Sequence, residues 1–187
     1  MKKTLIVYHS RTGHTRRVAQ ALAQRLDADL DEIRIVQPLD GIAGYVMCAI
    51  EAAAGLAPAL RPGTRDPAAY ELVVVGTPVW CWSPSSPVRS WLESHRLTRR
   101  VAFFCTMGGS GSGRVFATMT ELAGQAPVAT LAFTERQVDA PYETELDAFT
   151  RRVQAGPPRF RAGGRTAAAP GRRAGAIGRL SAPVSHR

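Results

Sequence analysis

The 187-residue sequence has few cysteines and no long hydrophobic run near its start. Its three cysteines, Cys48, Cys81 and Cys105, are odd in number and irregularly spaced, which argues against a disulfide framework and leaves no pair with zinc-ligand spacing. The first apolar run ends at Tyr8 and is too short for a signal peptide or a membrane span. We therefore expect a soluble, cytoplasmic protein without a metal site.

Acidic residues are missing from the last part of the chain. Seven of the 24 basic residues and none of the 15 acidic residues lie in residues 156–187, so residues 1–155 carry a net charge of only +2. This tail is rich in Ala, Gly, Pro and Arg and has too little apolar bulk to fold by itself. We predict one domain over residues 1–155 and a disordered tail, with an arginine tether to nucleic acid or an anionic membrane as the alternative.

Apolar strand patterns alternate with amphipathic helix patterns along residues 1–155. This alternation predicts an α/β fold with a parallel sheet and helices on both faces. Ligands bind such a sheet at the carboxyl ends of its strands. The expected strands cover residues 3–8, 31–36, 72–76, 101–105 and 128–133, and the expected helices cover residues 14–26, 42–55, 86–94, 113–123 and 142–153.

Residues 10–15, which we call the first loop, connect the first expected strand to the first expected helix. Free backbone N–H groups and the helix dipole favour an anion at a helix start, and the hydroxyls of Ser10, Thr12 and Thr15 can donate further hydrogen bonds. Gly13 lets the backbone turn and approach a ligand closely. The pattern indicates either a phosphate site or an ordinary capped turn between a strand and a helix.

Two further unusual loops follow the third and fourth expected strands. Residues 76–84, the second loop, hold two tryptophans and two prolines, which indicates a wall for a planar aromatic ligand, inward packing or a subunit interface. Residues 106–113, the third loop, contain four glycines, which allow close backbone approach to a ligand or form a flexible turn. Together the three loops fit a ligand with a phosphate at one end and a flat heterocycle at the other.

This combination resembles the flavodoxin-like family of FMN proteins. The first loop is similar to the family's phosphate pattern Thr/Ser-x-Thr-Gly-x-Thr, and the second and third loops are similar to its two ring-contacting loops, over about residues 3–153. The resemblance implies a three-layer α/β sandwich with a five-stranded parallel sheet in the order 2-1-3-4-5. It also implies FMN as the cofactor, with the chemistry carried by the flavin and no catalytic side chain. The residues that it places at FMN are Ser10, Arg11, Thr12, Gly13, His14, Thr15, Thr77, Pro78, Val79, Trp80, Cys81, Trp82, Thr106, Met107, Gly108, Gly109, Ser110 and Gly111.

The resemblance implies an oxidoreductase that passes electrons from NAD(P)H or another donor to a small acceptor such as a quinone. The alternative is a flavodoxin-type electron carrier without its own substrate, which would dock on a redox partner protein. A phosphatase would need a cysteine nucleophile in the first loop, and a receiver domain would need acidic residues after the first and third strands; the sequence has neither. A homodimer formed through the second loop stays open.

Several reactive side chains have two interpretations each. Arg11 and His14 either assist the phosphate or face solvent. Cys81 either tunes the flavin or is a small packing residue, whereas Cys105 and Cys48 are expected in the core. The last group is a basic cluster before the fourth expected strand. It either attracts an anionic substrate such as a nicotinamide phosphate or forms a solvated face, and it consists of His95, Arg96, Arg99 and Arg100.

Overall fold

The structure is a computed structural model, and it describes residues 3–36 and 58–155. Its strands are β1 (Thr4–Tyr8), β2 (Asp29–Glu32), β3 (Leu72–Trp80), β4 (Ser83–Pro84), β5 (Arg100–Met107) and β6 (Thr130–Thr134). Its helices are α1 (His14–Leu26), α2 (Ser86–Ser94), α3 (Ser112–Ala123), α4 (Glu135–Val138) and α5 (Glu143–Gln154), with a short 3₁₀ helix over Pro67–Ala69.

Five of the strands form one parallel sheet in the order β2-β1-β3-β5-β6, and β4 pairs with β3 as an antiparallel addition. The register places Ile6 of β1 beside Val74 of β3, and Val74 beside Ala102 of β5. This order is the predicted 2-1-3-4-5 arrangement once the two-residue strand β4 is set aside. The carboxyl ends of β1, β3 and β5 are therefore neighbours, and the three loops start at one edge of the sheet.

Each face of the sheet has its own apolar core. Ile6 and Phe104 point to the face covered by α1 and α5, while Leu5 and Phe103 point to the face covered by α2 and α3. Because successive side chains of a strand face opposite sides, a central strand covered on both faces must be apolar throughout, as β1 is. Burying one such large side chain contributes about 1.5–3 kcal/mol to folding.

The second strand differs from its prediction. We expected residues 31–36, whereas β2 spans Asp29–Glu32. The parallel ladder with β1 ends where the Ile33 N–H donates to the Tyr8 carbonyl at 2.7 Å. Ile35 then forms an isolated antiparallel bridge with Leu60. The apolar alternation that suggested one strand therefore covers two different pairings, a parallel one with β1 that ends at Ile33 and an antiparallel one between Ile35 and Leu60.

The third strand also runs further than predicted, to Trp80 instead of residue 76. Its added residues pair with β5 as far as Pro78 beside Thr106, and the chain then turns tightly into β4. The residue at position 76 of this strand is glycine because the Phe104 ring packs directly over its backbone. A Cβ at Gly76 would lie only 2.0 Å from Cζ of that ring.

The predicted helices over residues 14–26, 86–94, 113–123 and 142–153 correspond to α1, α2, α3 and α5. The predicted helix over residues 42–55 and the predicted tail over residues 156–187 lie outside the described residues. Among the described residues, no helix combines the length and apolar character that crossing a membrane would require.

Candidate functional site

The first loop ends at the start of α1 on a glycine in the left-handed region. Gly13 is the N-cap residue with a φ of +98°, a conformation that L side chains rarely adopt. Apart from the chain next to Gly13 itself, no atom lies within 4 Å of the position that a Cβ on Gly13 would take. The Ser10 hydroxyl accepts a hydrogen bond from the Arg16 backbone N–H at 3.1 Å. The loop therefore brings a helix N-terminus and two kinds of donor, N–H and O–H, to an open surface.

His14 is held inside this loop by contacts from both sides. Its Nδ1 lies 3.0 Å from the Thr12 hydroxyl oxygen, and its Nε2 lies 3.8 Å from a carboxylate oxygen of Asp139. Glu135 is 3.9 Å from Nδ1. Arg17 donates to Asp139 at 2.7 Å, and this hydrogen bond holds the pKa of the Asp139 carboxyl below its ordinary value. His14 is thus a bound side chain between the first loop and the segment that follows β6.

A buried pair of hydroxyls joins the first loop to the third. The Thr15 and Thr106 side-chain oxygens are 2.8 Å apart, and both residues are buried. Thr15 lies in the first turn of α1, and Thr106 lies near the carboxyl end of β5. In this hydrogen bond one hydroxyl donates and the other accepts, so each oxygen has a partner away from water, and the contact fixes the helix start against the neighbouring strand. Both predicted ligand hydroxyls therefore also have a structural partner.

The second loop is a hairpin, not an irregular loop. Trp80 pairs with Ser83 across a two-residue turn in which Cys81 has a φ of 48° and Trp82 a φ of 59°. Two successive positive φ angles correspond to a type I′ turn, which normally uses Asn-Gly or Asp-Gly. The sequence signal for a hairpin was therefore missing. Trp82 is 59% exposed, an unusual position for so large an apolar side chain.

Thr77, at the start of the second loop, faces inward. It is completely buried, and its hydroxyl oxygen accepts from the Ser85 backbone N–H at 3.0 Å while its hydroxyl donates to the Pro78 carbonyl at 2.9 Å. The bond from Ser85 ties the two arms of the hairpin together at its base. Pro78, Val79 and Trp80 are half-buried, so the arm leading to the turn has both a packed and an open side.

The third loop passes close to the tip of this hairpin. Gly111 has a φ of +115°, and a Cβ there would lie 2.9 Å from Cδ1 of Trp82 and 3.4 Å from Cγ1 of Val79. Gly108 and Gly109 have nothing within 4 Å of their Cβ positions and are exposed. The loop therefore packs on the hairpin through one glycine and leaves two others with open space beside their backbone.

His9 is a residue of this edge that our sequence predictions missed. Its ring meets the Trp80 ring edge-to-face, with centroids 5.7 Å apart and planes at 87°. Its Nδ1 lies 3.0 Å from the Ile33 carbonyl oxygen and donates to it, since that oxygen can only accept. Burial lowers the pKa of His9, which disfavours its charged form. The sequence did hold one indication that His9 belongs to this edge, because it lies directly between β1 and the first loop.

The remaining reactive groups lie elsewhere or are inert. Cys105 is buried, and burial raises the pKa of its thiol to about 12, so it is the predicted core residue. Cys81 is exposed at the hairpin tip. Arg99 and Arg100 stand at the amino end of β5, the edge opposite the three loops, so they cannot reach a ligand held by those loops. No cluster of metal-ligating side chains occurs among the described residues.

Comparison with known proteins matches this arrangement to one family. A family model described as flavodoxin matches residues 3–149. A flavoprotein from Lactobacillus acidophilus, solved in complex with FMN, is 26% identical and superposes with a TM-score of 0.60, over 74% of this chain and 97% of that one. A provisionally assigned flavoprotein from Bacteroides eggerthii shares the fold at 23% identity and a TM-score of 0.69, over 82% and 98% of the two chains. No curated protein matches the chain.

Proposed function

Since the chain belongs to the flavodoxin family, we propose that it binds FMN at the edge formed by the three loops and transfers electrons there. The observation that carries the proposal is the joining of these loops into one surface. Thr15 and Thr106 connect the first loop to the third, and Gly111 packs on Trp82 of the second. The Lactobacillus acidophilus protein, which was solved with FMN, supports the choice of cofactor.

The residues present fit such a group. The first loop offers a phosphate the N–H groups at the start of α1 and the hydroxyls of Ser10 and Thr12, and no atom blocks the approach to Gly13. The exposed backbone of Gly108 and Gly109 offers polar groups to a flat ring, and the hairpin offers aromatic surface. When bound, FMN would supply the electron-transfer chemistry. The chain's own residues bind it, orient it and limit its contact with water.

We propose that the donor is NAD(P)H or a comparable reductant and that the acceptor is a small molecule such as a quinone. The hairpin tip supports access by an external reactant, because Trp82 is 59% exposed beside the other loops. A planar acceptor would gain apolar contact on that ring. Arg99 and Arg100 stand at the opposite edge of the sheet, so binding of a nicotinamide would depend on contacts at the loop edge itself.

The same exposed Trp82 also favours a second candidate function, an electron carrier that docks on a redox protein. Tryptophan is enriched at protein interfaces because one ring buries a large area at little cost in side-chain entropy. A carrier and a reductase need the same cofactor site and differ in what reduces the flavin. The hairpin tip is also the surface that we propose for a homodimer, if the protein forms one.

Titration of the full-length protein with FMN tests the proposed function. We expect bound FMN to lose its fluorescence and the purified protein to be yellow. Under anaerobic conditions, NADH or NADPH should then bleach the flavin, and a quinone should restore its colour. Bleaching by dithionite but not by either nicotinamide would select the carrier. Failure to bind FMN at any concentration tested would refute both candidates. Light scattering on the same sample gives the oligomeric state.

A further inference from the structure

Two arginines stand opposite each other on the short antiparallel ribbon that surrounds the bridge between Ile35 and Leu60. The Arg61 backbone N–H donates to the Arg34 carbonyl at 2.7 Å. Arg34 and Arg61 are therefore cross-strand neighbours, with their side chains on the same face of the ribbon. Like charges placed directly opposite each other destabilise a pair of strands. An anion bound between the two guanidinium groups would remove this repulsion.

Both side chains line one cavity beside the carboxyl end of β2. Its volume is about 370 Å³, which is within the range of small-molecule sites. Arg34 and Arg61 are exposed, so a solute can reach them from solvent. The other charged residues that line the cavity are Asp31 and Glu32. Whether an anion can bind here depends on how these two carboxylates are paired.

The two carboxylates are engaged within the protein. Asp31 is buried and accepts from the Thr64 N–H at 2.9 Å, from the Thr64 hydroxyl at 3.1 Å and from the Arg65 N–H at 3.1 Å. Glu32 accepts from the Arg16 guanidinium at 2.6 Å. Each carboxylate therefore has close donors of its own, which offset its repulsion of an anion in the cavity.

The arginine pair keeps donors for a ligand. Arg34 Nη2 lies 3.5 Å from Glu32 Oε2, which is longer than a good hydrogen bond. Within the part of the chain that the structure describes, the Arg61 side chain forms no ion pair. Guanidinium groups bind phosphate oxygens through planar pairs of N–H donors, and a phosphate monoester carries enough charge and oxygens for two such groups.

The cavity lies at the same edge of the sheet as the three loops. The chain between β2 and the ribbon passes beside the residue before the first loop, because His9 donates from Nδ1 to the Ile33 carbonyl at 3.0 Å. The Ile33 N–H in turn donates to the carbonyl of Tyr8, the last residue of β1, at 2.7 Å. This edge therefore offers a reactant an anion site in addition to the loops.

We propose that Arg34 and Arg61 bind the phosphate monoester of the reductant, and that they select NADPH over NADH as the electron donor. The two nucleotides differ only in the 2′-phosphate of NADPH, and an arginine accommodates this phosphate in other dinucleotide-binding sheets. The proposal rests on the proposed function, because it names the donor of that reaction. The site is separate from the first loop and from the residues that would hold the cofactor.

The test uses the full-length protein saturated with FMN, so that the first loop is occupied. Isothermal titration calorimetry compares 2′,5′-ADP with 5′-AMP, which lacks only the 2′-phosphate. The variants are Arg34→Gln and Arg61→Gln. Arg99→Gln is the matched control, because it removes an exposed arginine at the opposite edge of the sheet. The FMN affinity of each variant shows whether it is folded.

We expect the wild type to bind 2′,5′-ADP roughly a hundredfold more tightly than 5′-AMP, since two charge-assisted contacts are added. Arg34→Gln and Arg61→Gln should each weaken 2′,5′-ADP binding about tenfold and leave 5′-AMP and FMN binding unchanged. Arg99→Gln should change none of the three. Equal affinities of the wild type for the two nucleotides would overturn the inference, while FMN binding would keep the proposed function intact. An equal loss in Arg99→Gln would overturn it too, since the attraction would then be that of general charge.

Two further measurements separate the remaining outcomes. If inorganic phosphate displaces 2′,5′-ADP at equal concentration, the site holds free phosphate and the choice of donor is wrong. If the protein does not bind FMN, the same titrations on the FMN-free protein still show whether Arg61→Gln removes the preference for the 2′-phosphate, so the two proposals fail separately. Should Arg34→Gln not fold, because Arg34 also approaches Glu32, Arg61→Gln decides alone.

Discussion

The first loop and the hairpin of the second loop both place backbone in the left-handed region, but with different residues. The first loop uses Gly13, whose φ of +98° is available to glycine without strain. The hairpin uses Cys81 and Trp82, at 48° and 59°. For L residues with a Cβ, each such angle costs roughly 1–2 kcal/mol. The two loops lie at the same edge of one sheet, so the difference concerns which groups each loop exposes there: backbone in the first loop and side chains in the hairpin.

The difference supports separate roles for the two loops in the proposed site. In the first loop the side chain at the turn is absent, and what remains is backbone N–H at an open helix start. In the hairpin, by contrast, two residues with side chains, Cys81 and Trp82, adopt the strained positive φ angles at the tip. Strained residues of this kind tend to occur at binding sites. In the proposed site, the first loop would hold the phosphate through backbone N–H groups and the hydroxyls of Ser10 and Thr12, whereas the hairpin would contribute Trp82.

The largest effect should come from adding a side chain to the first loop. Gly13→Val introduces strain at a positive φ and places methyl groups where a phosphate would approach. We expect FMN affinity to fall about a hundredfold, which corresponds to two lost hydrogen bonds to a charged group. Gly124→Val is the matched control, because Gly124 has a φ of +67° and equally open space at the far end of α3. Both variants should lose stability in denaturant, and only the first should lose FMN; equal affinities would contradict our view of this loop.

A smaller effect should follow from separating the third loop from the hairpin. Gly111→Ala combines a positive φ with a Cβ only 2.9 Å from Cδ1 of Trp82. We expect a loss of about 2 kcal/mol in unfolding free energy from strain and displaced packing. The change should also alter tryptophan fluorescence, since the ring must move. Gly109→Ala has open space and should change stability by less than about 0.5 kcal/mol; an equal loss in both variants would argue against the contact.

Removing the backbone strain at the hairpin tip should increase the free energy of unfolding, in contrast to the two changes above. Replacing Cys81 with Asn and Trp82 with Gly supplies the residues that a type I′ turn prefers. Because Trp82 is already 59% exposed, little burial is lost, and we expect a gain of about 1 kcal/mol in chemical denaturation. Electron transfer to an external acceptor should slow in the double variant. Cys81→Asn alone keeps Trp82 and should keep the rate; a rate unchanged in both would remove Trp82 from the proposed function.

The smallest effect concerns His9 and pH. Burial lowers the pKa of His9 in the folded state, so the unfolded chain binds a proton more readily. Stability should therefore decrease as the pH falls through the ordinary range of histidine and level off below the folded-state pKa. His9→Gln should flatten this dependence, as measured by thermal unfolding between about pH 5 and 7.5. A variant as acid-sensitive as the wild type would show that other groups account for it.

The sequence predicted most of the fold because its signals were local. Continuous apolar runs such as β1 and β5 and the periodic apolar face of α1 each specify their own element, and the strand order follows from their alternation. The start of α1 at His14 was predicted to the residue for the same reason: a strand, a glycine and hydroxyls directly precede the helix. The prediction of the second strand was wrong because Ile33 and Ile35 belong to different pairings, and a local sequence pattern does not distinguish them.

The rest depended on contacts between distant parts of the chain. The hairpin could not be predicted, because neither Cys81 nor Trp82 is a residue that tight turns prefer. Their positive φ angles become visible only in the folded structure. The contact between His14 and Asp139 could not be predicted, because Asp139 follows the last strand of the sheet and meets α1 only after folding. Whether a side chain is bound or free at such an edge is decided by packing across the sheet.

The hydrogen bond between Thr15 and Thr106 has a consequence for ligand choice. It connects the start of α1 to the end of β5 inside the protein, where neither hydroxyl can exchange its partner for water. The separation between the start of α1 and the end of β5 is therefore fixed by a contact inside the protein and does not depend on a ligand. In the proposed site, a rigid separation of this kind would favour ligands whose two ends are the right distance apart, in addition to the individual contacts.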